Sequence, residues 1–291
     1  MTDRYDTEFS EYQTTKKDKM NRYKFDDAEH LHSLDGRPLM GTSTACKIIA
    51  KPLTWWASGM AVGALGWKNG KLMVDGKYKT TPKEERLALA APHLEKIKGM
   101  TTAEYVALLD EAYKAHNVKL TTAAGEGTDL HALLESYCVS CIKENKGIPL
   151  AHSTGETPQV SAFVDWSLAN VSSFLFSEAH CFSETLWLGG ISDAGAVLKN
   201  GNRALIDFKS AKAAYFDHFI QLALYDIQIS ETGMYDKDGN WLVDPMEFNQ
   251  YIVFPFGATP LKPFERTDVS AFKEAARAAV TLYKHSLQFE G

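Results

Sequence analysis

The chain has 291 residues, 45% of them hydrophobic and 23% charged, an ordinary globular composition that excludes wholesale disorder and suffices for one large domain or two small ones. A net charge of −6 argues at first sight against a nucleic-acid partner, and no apolar run approaches the roughly 20 residues needed to span a bilayer. The start, MTDRYDTEFSEYQ, is polar and acidic rather than a secretory signal, so the expectation is a soluble, cytoplasmic protein without membrane contact.

Residues 1–30 are charged and lack apolar periodicity, which predicts a flexible arm reaching to residue 34, with a turn at Leu34-Asp35-Gly36-Arg37-Pro38. In GTSTACKIIAKPLTWWASGMAVGALGW, Thr42, Ser43 or Thr44 can cap a helix and Pro52 can open a second. Residues 67–80 contain Asn-Gly and Asp-Gly turns and several lysines. Thr81-Pro82-Lys83-Glu84-Glu85 is a helix start for 83–98, and further helices are expected at about 102–116, 127–144 (capped by Thr128) and 159–172. The texture then changes to strands at 174–183, 191–199 and 204–209, the last two joined by the turn Asn200-Gly201-Asn202. A helix at 214–230, a strand at 249–254 and a helix at about 268–288 complete an α/β order with a largely helical N-terminal half.

The charge is uneven. Residues 1–124 carry 19 Lys and Arg against 16 Asp and Glu, and residues 125–291 carry 12 against 21. A mildly basic half can hold phosphates and an acidic half divalent cations, although solvated surface explains the asymmetry as well. Cys138 and Cys141 form a C-x-x-C pair, but no second pair exists to complete a zinc or iron–sulfur site. At i and i+3 of a helix they read as small core residues.

Side chains alternate along a strand, so Asp207 and Lys209 of IDFKS share a face at the end of an apolar run. Asp193 of GGISDAGAV lies on the preceding strand, and two carboxylates that converge repel unless a cation sits between them. A simple ion pair is the alternative. His131 and Glu135, and likewise Gln221 and Tyr225, are i and i+4 on helices. Each pair is equally consistent with a surface contact or a structural hydrogen bond.

Taken in order, G-T-x-x-H (Gly127, Thr128, His131), Glu178, G-x-x-D (Gly190, Asp193), D-x-K (Asp207, Lys209) and Q-x-x-x-Y (Gln221, Tyr225) resemble the PD-(D/E)XK nuclease superfamily. The likeness is to its RecB-type branch, including phage-encoded and mitochondrial genome maintenance exonucleases, and runs from about residue 35 to 285. Ser210 stands where threonine is commoner in the family. The resemblance implies a restriction-endonuclease-like core, a mixed central sheet flanked by helices, over 127–291, and a helical, DNA-binding region over 35–126. It implies a DNA exonuclease of recombination, replication or repair using Mg²⁺ or Mn²⁺, held by His131, Asp193, Asp207 and the Phe208 carbonyl. Lys209 would act on the attacking water, Glu178 would support the metal shell, and Gln221, Tyr225, Ser210 and Thr128 would position substrate. Glu184 falls out of register and reads as surface. No cysteine follows Cys181, so no iron–sulfur cluster is expected. A phage-encoded member would work in the host cytoplasm, with a single-strand annealing or single-strand-binding protein as a further partner. For the DNA path, Lys47, Lys51, Lys68, Lys71, Lys77, Lys79 and Lys83 can track phosphates, and Trp55 and Trp56 can stack on bases or pack the helices. A structure-selective or restriction-like endonuclease and a non-catalytic DNA-binding protein of the same fold are the alternatives.

Overall fold

The computed structural model describes residues 22–50, 54–65, 71–74, 77–80, 82–152, 157–257 and 262–288, without side chains at 54–56, 71–74, 77–80 and 119–128. The described residues up to Ala50 pack with those from Gly127 onward into one compact unit, and those between Lys51 and Glu126 form a second.

Short strands open the first unit: β1 (Tyr23–Asp26), β2 (Leu31–Leu34), β3 (Arg37–Pro38) and β4 (Met40–Gly41). Residues 22–34 are thus not a flexible arm. Tyr23 and Leu34 are fully buried and pair in register, because YKFD and LHSL each carry one inward apolar or aromatic face that a count of charges conceals. Residues 35–50, expected with the helical region, also belong to this unit. Helix α1 (Thr42–Ala45) is one turn with Gly41 at its N-cap, and a 3₁₀ turn follows at Cys46–Ile49.

The second unit contains α2 (Thr54–Ala64), the antiparallel hairpin β5 (Lys71–Val74) and β6 (Lys77–Thr80), and α3 (Lys83–Lys98) with Glu84 and Glu85 in its first turn. Pro52 lies outside the described residues. Helix α4 (Thr102–Asn145) is one element of 44 residues where two were expected. Gly125 and Gly127 each cost a helix about 1 kcal/mol, but neither removes a backbone donor as proline would. Thr128 is therefore an interior helix position rather than an N-cap.

In the first unit, α5 (Pro158–Asn170) is capped by Thr157, whose side chain accepts the Val160 N–H. Then come β7 (Val171–Ser183), β8 (Leu188–Leu198), β9 (Arg203–Lys209), α6 (Phe216–Thr232), β10 (Met234–Tyr235), β11 (Trp241–Val243), β12 (Gln250–Pro255), β13 (Phe264–Arg266) and α7 (Val269–Ser286). The main sheet has eight strands in the order β11-β10-β7-β8-β9-β12-β13, with β4 also paired to β8. The β9–β12 and β4–β8 pairings are parallel and the others antiparallel. At the turn between β8 and β9, Gly201 supplies the left-handed φ of 88° and Asn200 Oδ1 accepts the Asn202 N–H.

Helices cover both faces. Leu205, Leu224, Val253 and Phe272 pack with α6 and α7 on one, and Leu134, Phe163, Ile206 and Phe254 pack with α4 and α5 on the other. Alternation along β9 therefore puts Asp207 on the α6 side, with Leu205. Cys138 and Cys141 are free, buried core residues, and Cys141 Sγ accepts the Leu150 N–H. Among the described residues no helix is long and apolar enough to cross a membrane.

Candidate metal centre

One edge of β8 has two neighbours. Leu188 and Gly189 pair with β4, Ala194–Val197 pair with β9, and the stretch Gly190–Asp193 between them is left without a partner on that edge. Beyond the Ala194–Ile206 pair the strands part, and the Asp193 carboxylate takes the place of a ladder partner, its Oδ2 accepting the Phe208 N–H at 2.7 Å. This fork opens a cavity of about 540 Å³ lined by residues of α4, β7, β8 and α6.

His131 of α4, Glu178 of β7 and Asp193 of β8 meet in the fork with one ligand atom each within 4.8 Å of the others. His131 Nε2 lies 3.3 Å from Asp193 Oδ2 and 3.8 Å from Glu178 Oε1, yet it is a buried nitrogen without an aligned hydrogen bond. The Phe208 ring meets the imidazole edge-on at 5.7 Å and fixes its plane. Glu178 has a φ of 50°, a left-handed conformation inside a strand that costs a side-chain-bearing residue on the order of 1 kcal/mol or more.

The electrostatics match this geometry. Burial, then the neighbouring Asp193, pushes the Glu178 carboxyl up to about 7, against the pull of His131. The Asp193 carboxylate raises the His131 imidazole against the opposing effect of burial. Two carboxylates and an imidazole nitrogen brought this close could hold a metal ion, whose charge would relieve the repulsion between the acids.

Asp207 stands beside this group rather than within it. It is 1% exposed, its Oδ1 accepts from Lys209 Nζ at 2.6 Å, and its Oδ2 is buried without a partner. Burial raises its carboxyl to about 7, with Lys209 opposing. Burial pulls the Lys209 ammonium down, but Asp207 and Asp193 outweigh it, so the net displacement is upward and Lys209 stays charged.

The cluster brings His131, Glu178 and Asp193 together, and Asp207 lies beside it, paired with Lys209. Asp207 lies on the α6 face and engages Lys209, and Glu178 joins the cluster from a strand position with a left-handed backbone. Phe208 contributes its N–H to Asp193. Gln221 Nε2 donates to the Tyr225 hydroxyl at 2.8 Å, and both residues line the cavity. Ser210 is exposed just beyond β9. Glu184 pairs with Arg22 at 2.9 Å on the surface. The Thr128 side chain, Trp55, Trp56 and the side chains of Lys51, Lys68, Lys71, Lys77 and Lys79 lie outside the described residues, and Lys47 and Lys83 are exposed.

The cavity wall contributed by the chain's N-terminal part was not foreseen. His30, His32 and Thr42 line it, and Thr42 Oγ1 is tied to Gly189 O (3.0 Å) and Gln228 Nε2 (2.8 Å). The signal available was the alternation of inward residues in YKFD and LHSL. Gly190 has a packing reason: a Cβ there would lie 2.5 Å from Thr42 Oγ1 and 2.6 Å from Tyr225 Cε1. No protein-family model and no curated protein matches the chain.

Proposed function

We propose that this chain is a metal-dependent deoxyribonuclease of the PD-(D/E)XK type, acting as an exonuclease. The observation that carries the reading is the convergence in the β8–β9 fork of His131, Glu178 and Asp193 from three separate elements, with the Asp207–Lys209 pair on the neighbouring strand. This is the ordered set of residues that the sequence pattern singles out, in a mixed α/β core with helices on both faces.

His131, Glu178 and Asp193 would hold the cation, with the unpartnered Asp207 Oδ2 available beside them. Carboxylate oxygens suit Mg²⁺, and the imidazole shifts the preference toward Mn²⁺. Such a cation would activate a water at neutral pH and polarise a phosphoryl oxygen. Hydrolysis forms a bond from a water oxygen to phosphorus, breaks the bond from phosphorus to the leaving oxygen, and delivers a proton of the water to that oxygen. Lys209, kept as an ammonium by Asp207 and Asp193, orients the water and steadies negative charge developing on the phosphate rather than accepting a proton. Asp207 fixes the ammonium in place. Phe208 holds the Asp193 carboxylate through its N–H and the His131 ring through its edge. The Gln221–Tyr225 pair braces the wall opposite.

The test is cleavage of end-labelled linear single- and double-stranded DNA, with closed circular DNA alongside, in Mg²⁺ and Mn²⁺. Linear DNA is expected to shorten from an end while circles stay intact; opened circles would make the enzyme an endonuclease. Asp207→Ala and Lys209→Ala should each abolish cleavage while circular dichroism shows the fold retained. Near-wild-type activity in both variants would overturn the assignment.

A further inference from the structure

The cavity continues past the three acidic and imidazole ligand atoms, and its far end has different chemistry. That end is walled by His30, Leu31, His32 and Leu39. Leu31 is 41% exposed, an apolar side chain left at the opening. His30 is exposed and holds a φ of 51°, a conformation that residues with a Cβ rarely adopt. Its ring is braced edge-on by Phe25 at 5.1 Å. His32 is nearly sealed, with its Nδ1 2.6 Å from the Tyr23 hydroxyl. Burial, with His180 nearby, takes its imidazole down to about 4, so this ring is neutral at physiological pH.

Among the described lining residues there is no Lys or Arg, so this end offers no cation to neutralise a phosphate. Imidazole rings and leucine side chains instead offer flat and apolar contact to an uncharged aromatic ring. A nucleobase presents such a face when it is unpaired, and stacking on an aromatic side chain tolerates any base. The whole cavity, which takes in His131, Glu178 and Asp193 as well, is about 540 Å³, within the range of pockets that enclose one small organic ligand. Gly189 shapes the floor: a Cβ there would lie 2.6 Å from His32 Cβ and 3.2 Å from Leu39 Cδ1, so the missing side chain lets the histidine strand reach the site.

We propose that the His30–Leu31 end of the cavity is a nucleobase subsite, which receives the base of one unpaired nucleotide while its phosphate lies at His131, Glu178 and Asp193. This rests on the nuclease reading and sharpens it: the substrate strand enters the site with the nucleotide next to the cut unpaired, and the contact is made to the base rather than to a terminal phosphate.

The test uses the full chain without metal, titrated with free deoxyadenosine, thymidine or inorganic phosphate while the histidine ring protons are followed by NMR. The signal lost in His30→Asn identifies His30; asparagine removes the ring and tolerates the left-handed backbone. Deoxynucleosides should shift that signal and inorganic phosphate should not. In cleavage of single-stranded DNA with Mn²⁺, His30→Asn should raise KM about 10-fold with kcat little changed, and His30→Phe should restore KM by returning an aromatic face. An unmoved His30 signal with both deoxynucleosides, an equal shift with phosphate, or an unchanged KM in His30→Asn would overturn the subsite. Failure of the nuclease reading looks different: no nucleic acid is cut, while deoxynucleosides still shift His30, and the base subsite then stands by itself.

Discussion

Glu178 sets chemistry against stability within one side chain. Its carboxyl ionises near 7 in the folded protein, against an ordinary value of 4.5, so the native state binds the proton more tightly than the unfolded chain does. The Glu178 contribution to stability is then greatest below pH 4.5 and is lost as pH rises through 7. Glu178→Gln removes that decline. The side chain is 30% exposed, so solvent screens part of the effect, and a gain of about 1–2 kcal/mol is expected at pH 8 in chelator. Urea unfolding measures it, and the gain should vanish at pH 4. The same substitution should reduce cleavage at least about 100-fold and abolish the stabilisation of the wild type by Mn²⁺. A destabilised Glu178→Gln at pH 8 would contradict the repulsion between Glu178 and Asp193.

Two elements depend on buried polar contacts, the first of them away from the site. Helix α7 is tied to α6 by Lys273 Nζ, 2.8 Å from Asp226 Oδ2, and Asp226 is fully buried and also accepts the Tyr251 hydroxyl at 2.8 Å. Lys273→Met strands that carboxylate and should cost about 3 kcal/mol by chemical denaturation; adding Asp226→Asn should recover part of it. The hairpin of β1 and β2 depends on the neutral His32 ring. Its pKa falls from 6.5 to about 4 on folding, so its contribution is intact above pH 6.5 and lost as pH falls toward 4, up to about 3 kcal/mol. His32→Phe should flatten the drop in urea midpoint between those two pH values. An equally steep drop in the variant would assign the acid sensitivity elsewhere, His180 being the next buried imidazole.

The site exists because three distant parts of the first unit converge on Gly189 and Gly190. The segment from β2 to α1 supplies His32 and Thr42, α6 supplies Tyr225, and β8 passes between them without side chains at these two positions. Gly190→Ala forces a Cβ against Thr42 Oγ1 and Tyr225 Cε1. It should destabilise by about 1–3 kcal/mol and lower cleavage more than the stability loss explains, since the fork itself is displaced. Thermal melts and activity measured on the same preparation check both. An alanine variant with wild-type stability and activity would show that the crowding is easily relieved.

Much of this was legible in the chain itself. The 3.6-residue and two-residue periodicities located α5, α6, α7, β7, β8, β9 and β12 to within a few residues, because those elements bury one face and their apolar spacing records it, whereas α3, which buries no residue, was marked by its start at Pro82 with Glu84 and Glu85. Asp193, Asp207 and Lys209 could be named because strand alternation and a short turn are local rules. What sequence could not decide was which acid joins His131. The structure sets Glu178 within reach of His131 and pairs Asp207 with Lys209, and both depend on how strands and helices pack, which is not a local property. The burial of β1 and β2 was likewise settled by packing, which overrides weak local preferences. The unpaired edge of β8 is the clearest case: it arises only when β4 and β9, about 160 residues apart in the chain, pair along the same side of one strand and leave a gap between them.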